Sequence, residues 1–233
     1  MQRSALCRSR RELSNAYLLA KIGFDTAENE PCKVCPLSAY RSPRFSKKDP
    51  PFSDYLDRRQ ESRELHCAGQ CRNMPHDPEL SASGCENATQ IGKHFAEEPL
   101  VTFDMVVSSP YRRCIETAVL ICKELHVPLA VDSRLGEIQS AAVMGDMCED
   151  NEHLRQSLVE NVAFAKACGV ELIGMEDVCG TAVAPDDLPA YPENLPKAFK
   201  RYVNAFELFV SSGKSILCVT HGMALVSIKE ANE

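Results

Sequence analysis

Two apolar runs of the sequence are each followed by residues that could hold an anion. Met105 to Val107 precedes Ser108-Ser109-Pro110, with Arg113 three residues further on, and Ile216 to Val219 precedes Thr220 and His221. A guanidinium is a permanently charged, planar donor that matches phosphate oxygens, and an imidazole changes its charge near neutral pH. If the two runs are neighbouring strands, Arg113 and His221 can act on the same anion.

The elements around these residues alternate between helices and short strands. Apolar residues recur at helical steps from Ile115 to Leu125 and from Phe199 to Val210, whereas the runs at 105–107, 129–131 and 216–219 are apolar throughout. Strands that are apolar on both faces are typical of parallel sheets covered by helices. Ligands bind beyond the carboxyl ends of such strands, so we expect Arg113 and His221 to face one crevice.

The start of the helix that carries Arg113 is predicted from Ser109 and Pro110. Serine is a preferred N-cap and proline a preferred first helical residue. The free backbone N–H groups of that first turn are then expected to add to an anion site. Helical geometry places Arg112 on a different face from Arg113, and we expect Arg112 to point to solvent.

The chain divides into two unequal parts. Proline, serine and charged residues dominate from Pro31 to Arg63, so residues 1–75 are predicted to be a mostly irregular segment. Asn15 to Phe24 is the one part of it expected to form a short helix. Residues 76–233 are predicted to form the α/β domain.

Four short motifs resemble the histidine phosphatase (phosphoglycerate mutase-like) superfamily. They occur in the family's order, and each alone is a weak signal. The motifs are DPELSASGCENA (Asp77–Ala88), SSPYRRCIETA (Ser108–Ala118), VDSRLGEI (Val131–Ile138) and ILCVTHGMAL (Ile216–Leu225).

This resemblance implies a fold, a function and roles for three residues. The fold would be a three-layer α/β/α sandwich with a mainly parallel sheet. The function would be hydrolysis of a phosphomonoester, on a phosphorylated small molecule or a phosphoprotein, without metal or organic cofactor. Arg113 would bind the phosphate, His221 would stabilise the transferring group, and Glu137 would protonate the leaving oxygen.

The family's first motif, Arg-His-Gly, is not found. Its histidine is the nucleophile of a phosphohistidine mechanism, and the only His-Gly pair of this chain is His221-Gly222. His66 is the best upstream candidate, but Leu65 and Cys67 flank it where arginine and glycine belong. The alternative is therefore a catalytically inactive pseudophosphatase that acts as a binding or scaffold protein.

The 12 cysteines suggest a rival function for the first segment. Cys32 and Cys35 form a CxxC pair, and Cys67 and Cys71 follow near His66, so four thiolates could hold zinc tetrahedrally. Reduced, buried thiols in an intracellular protein are the simpler interpretation.

Charge and hydropathy exclude two classes of partner. The net charge of −7 argues against nucleic-acid binding, which usually needs a basic face. No run approaches the roughly 20 apolar residues of a membrane helix. We expect a cytoplasmic protein, with the basic N-terminus (five basic residues against Glu12 up to residue 24) leaving an organelle-targeting segment as the alternative. The oligomeric state is not predicted.

Overall fold

The computed structural model describes residues 16–19, 77–80, 82–97, 102–140, 144 and 151–231. Its strands form one parallel sheet in the order β1-β5-β2-β3-β4. The strands are β1 (Ala16–Leu19), β2 (Met105–Ser108), β3 (Leu129–Val131), β4 (Leu172–Ile173) and β5 (Ile216–Val219). The helices are α1 (Ala82–Glu97), α2 (Arg112–Leu125), α3 (Asn151–Ala167), α4 (Met175–Cys179), α5 (Leu195–Ser211) and α6 (Gly222–Ala231).

Residues that alternate along the strands lie in two separate apolar clusters. Val107 and Cys218 pack with residues of α4, α5 and α6, whereas Val106 and Leu217 pack with residues of α1 and α2. Since successive strand residues point to opposite faces of a sheet, helices cover both faces. The α/β/α sandwich and the parallel sheet predicted from the sequence are confirmed.

The segments with the clearest apolar patterns form the elements that the sequence predicts. The apolar runs at 105–107, 129–131 and 216–219 form β2, β3 and β5. The long helix α5 begins after Asn194, whose side chain accepts from Lys197 N, and Gly213 follows its end with φ 70°. A left-handed residue at this position is the usual glycine stop of a helix.

The predicted helix over Asn15 to Phe24 is wrong for Ala16 to Leu19. These four residues form β1, which pairs in parallel with β5 in the register Leu19 to Val219. Four consecutive apolar residues do not distinguish a buried strand from a helix by periodicity, and pairing with β5 decides the outcome. The proposed division of the chain at residues 75 and 76 stays a prediction.

The buried thiols should resist alkylation in the folded protein. Burial raises the pKa of Cys114 and of Cys122 to about 12, so only about one part in ten thousand is thiolate at pH 8. Iodoacetamide at that pH, followed by peptide mass mapping, is expected to leave Cys114, Cys122 and Cys218 unmodified and to label the half-buried Cys168 and Cys179. Equal labelling before and after urea denaturation would contradict this burial.

No helix within the described part of the chain combines the length and apolar composition that crossing a bilayer requires. The cytoplasmic location stays a prediction.

Candidate active site

Helix α2 carries Arg113 on its buried face. The helix begins at Arg112, and the Arg113 side chain lies towards the sheet with a residue exposure of 5%. Burial by itself lowers the pKa of Arg113, but the surrounding acidic groups, Glu137 among them, outweigh it and the net shift is upward. The guanidinium therefore keeps its charge inside the protein.

The pairing of β2 with β5 brings His221 beside the start of α2. The two strands are parallel, with Ser108 opposite Val219, and Ser109 N continues the ladder by donating to Val219 O over 2.9 Å. His221 follows β5 at the same sheet edge and is 4% exposed. Ser109 Oγ consequently lies 2.9 Å from His221 Nε2.

Arg113 and His221 contact each other directly. Arg113 Nη2 is 2.9 Å from His221 Nδ1. A guanidinium only donates, so Nδ1 accepts in this contact and the ring proton lies on Nε2, from which it is donated to Ser109 Oγ. We infer this tautomer from the hydrogen-bond partners. The two residues that the sequence predicts to lie together are therefore in direct contact.

Glu137 completes the group. Its Oε2 lies 3.4 Å from Arg113 Nη2 and 3.4 Å from His221 Nδ1, and the residue is 5% exposed. The three residues expected from the sequence to form the site thus meet within hydrogen-bonding or ion-pairing distance. Their roles in catalysis stay predictions.

The start of α2 differs from the prediction in two respects. The N-cap is Tyr111 rather than Ser109, and the side chain of this residue makes no capping hydrogen bond. Arg112 N is not available to an anion, because it donates to Asp77 Oδ1 over 2.5 Å. Ser109 Oγ instead lies beside His221 Nε2, and α2 begins two residues later than a cap at Ser109 would give.

The prediction that Arg112 points to solvent is also wrong. Its side chain is 19% exposed and its Nε lies 2.7 Å from Glu116 Oε1, one helical turn away. Its guanidinium carbon lies 3.5 Å from the centre of the Phe164 ring in α3. Helical geometry separates Arg112 from Arg113, but the packing of α3 against α2 covers the face that Arg112 occupies.

Sequence reasoning missed two further residues that line the site. The fully buried Tyr111 ring meets the His221 ring edge to face, with centroids 5.0 Å apart. Gln139 donates from Nε2 to Tyr111 Oη over 2.7 Å. Both lie within two residues of a predicted site residue, and that proximity was the available signal.

The loop that carries Glu137 is fastened to α5. Arg201 Nη1 donates to Arg134 O over 2.5 Å and to Gly136 O over 3.1 Å, and Tyr202 Oη donates to Gly136 O over 2.7 Å. The Arg201 guanidinium is itself held by Glu193, at 2.9 and 2.8 Å. The backbone before Glu137 is therefore held by side chains of a helix.

Within the described residues no group of histidine, cysteine, aspartate or glutamate side chains could hold a metal ion. The zinc candidates Cys32, Cys35, Cys67 and Cys71, and the nucleophile candidate His66, lie outside the described residues.

One part of the chain matches a protein-family model. Residues 68–167 match the model of the histidine phosphatase superfamily (branch 1). The matched residues make up less than half of the chain, and they are similar to this superfamily. The matched range contains Arg113 and Glu137, whereas His221 lies beyond it.

Solved structures of similar fold are distant from this chain. The ecdysone phosphate phosphatase EPPase from Bombix mori, in complex with tungstate, has a TM-score of 0.46 and 18% identity, over 68% of this chain and 57% of that one. The mycobacterial glucosyl-3-phosphoglycerate phosphatase has a TM-score of 0.40 and 19% identity, over 66% and 68% of the two chains. This chain thus spans little more than half of the Bombix enzyme. No curated protein sequence matches it.

Proposed function

We propose that the chain is a phosphomonoester hydrolase of the histidine phosphatase type. The observation that carries the proposal is the meeting of Arg113 Nη2, His221 Nδ1 and Glu137 Oε2 within 3.4 Å of one another. A charged fork, an imidazole and a carboxyl group are the groups needed to hold a tetrahedral anion and to protonate its leaving group. The substrate is a phosphorylated small molecule or a phosphoprotein.

Each residue has one task in the proposed reaction. Arg113 donates to two phosphate oxygens and balances their charge, and His221 donates to an equatorial oxygen of the phosphoryl group in transfer. To donate to this oxygen, His221 needs a proton on the ring nitrogen that faces the substrate. Phosphate must therefore either displace Arg113 from Nδ1 or transfer a proton to the imidazole ring. Glu137 gives its proton to the leaving oxygen while the bond from phosphorus to that oxygen breaks and a bond to the nucleophile forms.

Among the histidines whose side chains the structure describes, His221 is the one in the site. His94 and His126 are both exposed. The family's phosphohistidine mechanism needs a second imidazole as nucleophile, which in this chain must come from a histidine whose side chain the structure does not describe. His66 is the candidate from the sequence. If His66 does not act as the nucleophile, the chain is a pseudophosphatase, which binds the anion without turning it over.

Turnover of p-nitrophenyl phosphate and a trapped phosphohistidine separate the two alternatives. The enzyme is expected to release p-nitrophenol and to form an acid-labile phosphorylated protein, and His221→Ala is expected to lose at least about 100-fold in kcat. His94→Ala, a histidine exposed on α1, is the control and should keep full activity. Binding of phosphate without turnover would establish the scaffold instead, and absence of both would end the proposal.

The role of Glu137 can be tested by the choice of leaving group. Glu137→Gln removes the proton donor but keeps the shape, so hydrolysis of an alkyl phosphate, whose leaving group needs a proton, is expected to fall about 100 to 10,000-fold. Hydrolysis of p-nitrophenyl phosphate, whose leaving group is stable as an anion, should fall much less. An equal loss with both substrates would mean that Glu137 only positions Arg113 and His221.

A further inference from the structure

Asp77 is a buried carboxylate outside the group of Arg113, Glu137 and His221. It is 3% exposed and opens the first of the four motifs, to which the proposed reaction assigns no task. Its Oδ1 accepts from Arg112 N over 2.5 Å, and its Oδ2 accepts from Ser157 Oγ over 2.8 Å and from Asn161 Nδ2 over 2.6 Å. Every contact on this carboxylate is made with a hydrogen-bond donor.

These contacts provide the cap that α2 lacks. The side chain of Tyr111, the N-cap residue, makes no capping hydrogen bond, and an aspartate oxygen on a first-turn N–H has the effect of an N-cap. Here the carboxylate comes from a position 35 residues earlier in the chain. Asn161 Nδ2 also donates to Pro110 O over 3.0 Å, so the residues before α2 are held by the same cluster.

The residues after Asp77 strengthen the attachment to α2. Leu80 N donates to Glu116 Oε2 over 2.6 Å, and Glu79 lies 3.5 Å from Arg112. Burial raises the pKa of Asp77, and the hydrogen bonds from Asn161 and Arg112 N oppose that shift. A carboxylate in such a place is costly unless its donors are kept, so the cluster behaves as one unit.

We propose that Asp77 is a positioning residue for Arg113. The peptide that Asp77 binds joins Tyr111 to Arg112, next to Arg113 in the first turn of α2, so the carboxylate sets the direction from which the guanidinium reaches His221 and the phosphate. The part of this proposal that concerns phosphate rests on the proposed function. The part that concerns the contact between Arg113 and His221 does not.

Asp77→Asn tests this with little change of shape. One amide oxygen can still accept from Arg112 N, but the NH₂ group then faces Asn161 Nδ2, which is also a donor. Asp104→Asn is the matched control, because Asp104 Oδ2 also accepts from a backbone N–H, that of Ser215, over 2.7 Å. Asp104 directly precedes β2, at the end of the strand that lies away from the site.

Two readouts keep the two proposals separate. Long-range proton–nitrogen NMR reports the tautomer of the His221 ring, with its signals assigned by their loss in His221→Ala. Asp77→Asn is expected to shift both ring nitrogens towards values averaged over the two tautomers, and Asp104→Asn to leave them unchanged. Titration with inorganic phosphate is expected to give a dissociation constant about tenfold higher for Asp77→Asn and unchanged for Asp104→Asn.

The outcomes are distinguishable. Ring signals of His221 that stay the same in folded Asp77→Asn would overturn the positioning role. If the wild-type protein does not bind phosphate while the ring still responds, the proposed function fails and the positioning role stands. Should Asp77→Asn not fold, Ser157→Ala removes one donor from the same carboxylate and is expected to shift the ring nitrogens in the same direction by less; no shift there would count equally against the role.

Discussion

Arg113→Lys is expected to weaken the binding of inorganic phosphate by about 100-fold and to reduce kcat/KM by at least as much. Lysine keeps the charge but lacks the planar fork that donates to two oxygens at once. The lysine ammonium group also cannot replace the contact between Arg113 Nη2 and His221 Nδ1, which are 2.9 Å apart. A loss of one charge-assisted hydrogen bond corresponds to about 1.5–3 kcal/mol, and 100-fold lies within that range.

Arg112→Lys is the matched control for this substitution. It changes the neighbouring residue in the same way, but the Arg112 side chain contacts Glu116 and Phe164 rather than His221. Calorimetric titration with phosphate should therefore give a dissociation constant within about twofold of wild type. Equal losses in the two variants would show that charge near the start of α2, and not the fork of Arg113, holds the anion.

Arg201→Met is expected to lower the free energy of unfolding by about 3–5 kcal/mol, because it leaves a buried charge without its partner. Glu193 is 6% exposed and accepts from Nε and Nη2 of Arg201 at 2.9 and 2.8 Å. The substitution also removes the donor to the carbonyls of Arg134 and Gly136. Since domains are stable by only about 5–15 kcal/mol, a loss of this size should be evident in urea unfolding.

The double variant Arg201→Met, Glu193→Gln separates the buried charge from the lost contacts. Neutralising Glu193 removes the unpaired carboxylate, so the double variant should be more stable than Arg201→Met alone. Arg155→Met is a control of the same type, because Arg155 donates to the backbone carbonyl of Asp186 and leaves no buried acid behind; its loss should stay near 1 kcal/mol. A double variant that is less stable than the single one would mean that the contacts, and not the charge, dominate.

The part of the fold that the sequence predicts is the part whose signal is local. The runs at 105–107 and 216–219 are apolar at every position, and the apolar face of α5 repeats from Phe199 to Val210, so each element is visible without its neighbours. Strands β1 and β4 are different. Four and two residues respectively become strands only because β5 and β3 offer them hydrogen-bonding partners, and no pattern within such short runs reports this.

The candidate site also contains residues that local sequence patterns predict and residues that they do not. Arg113 and His221 could be placed together because each follows a predicted strand at the carboxyl edge of a parallel sheet. Asp77 could not, since its effect on α2 depends on contacts with Ser157 and Asn161, 80 and 84 residues away. The cap at Ser109 was predicted wrongly because residue preference alone does not tell that the helix begins two residues later, after Tyr111.

The pairing of β2 with β5 makes the position of His221 a property of the sheet and not of a loop. The ladder runs without a break from Met105 opposite Ile216 to Ser109 N on Val219 O. A slip of one residue would carry the ring about 3.3 Å along the strand and turn every side chain of the strand to the other face. Deletions within β5 should therefore abolish the geometry of the site. Changes in the length of the turn that precedes β5 should preserve it, because the pairing of β2 with β5 sets the alignment again.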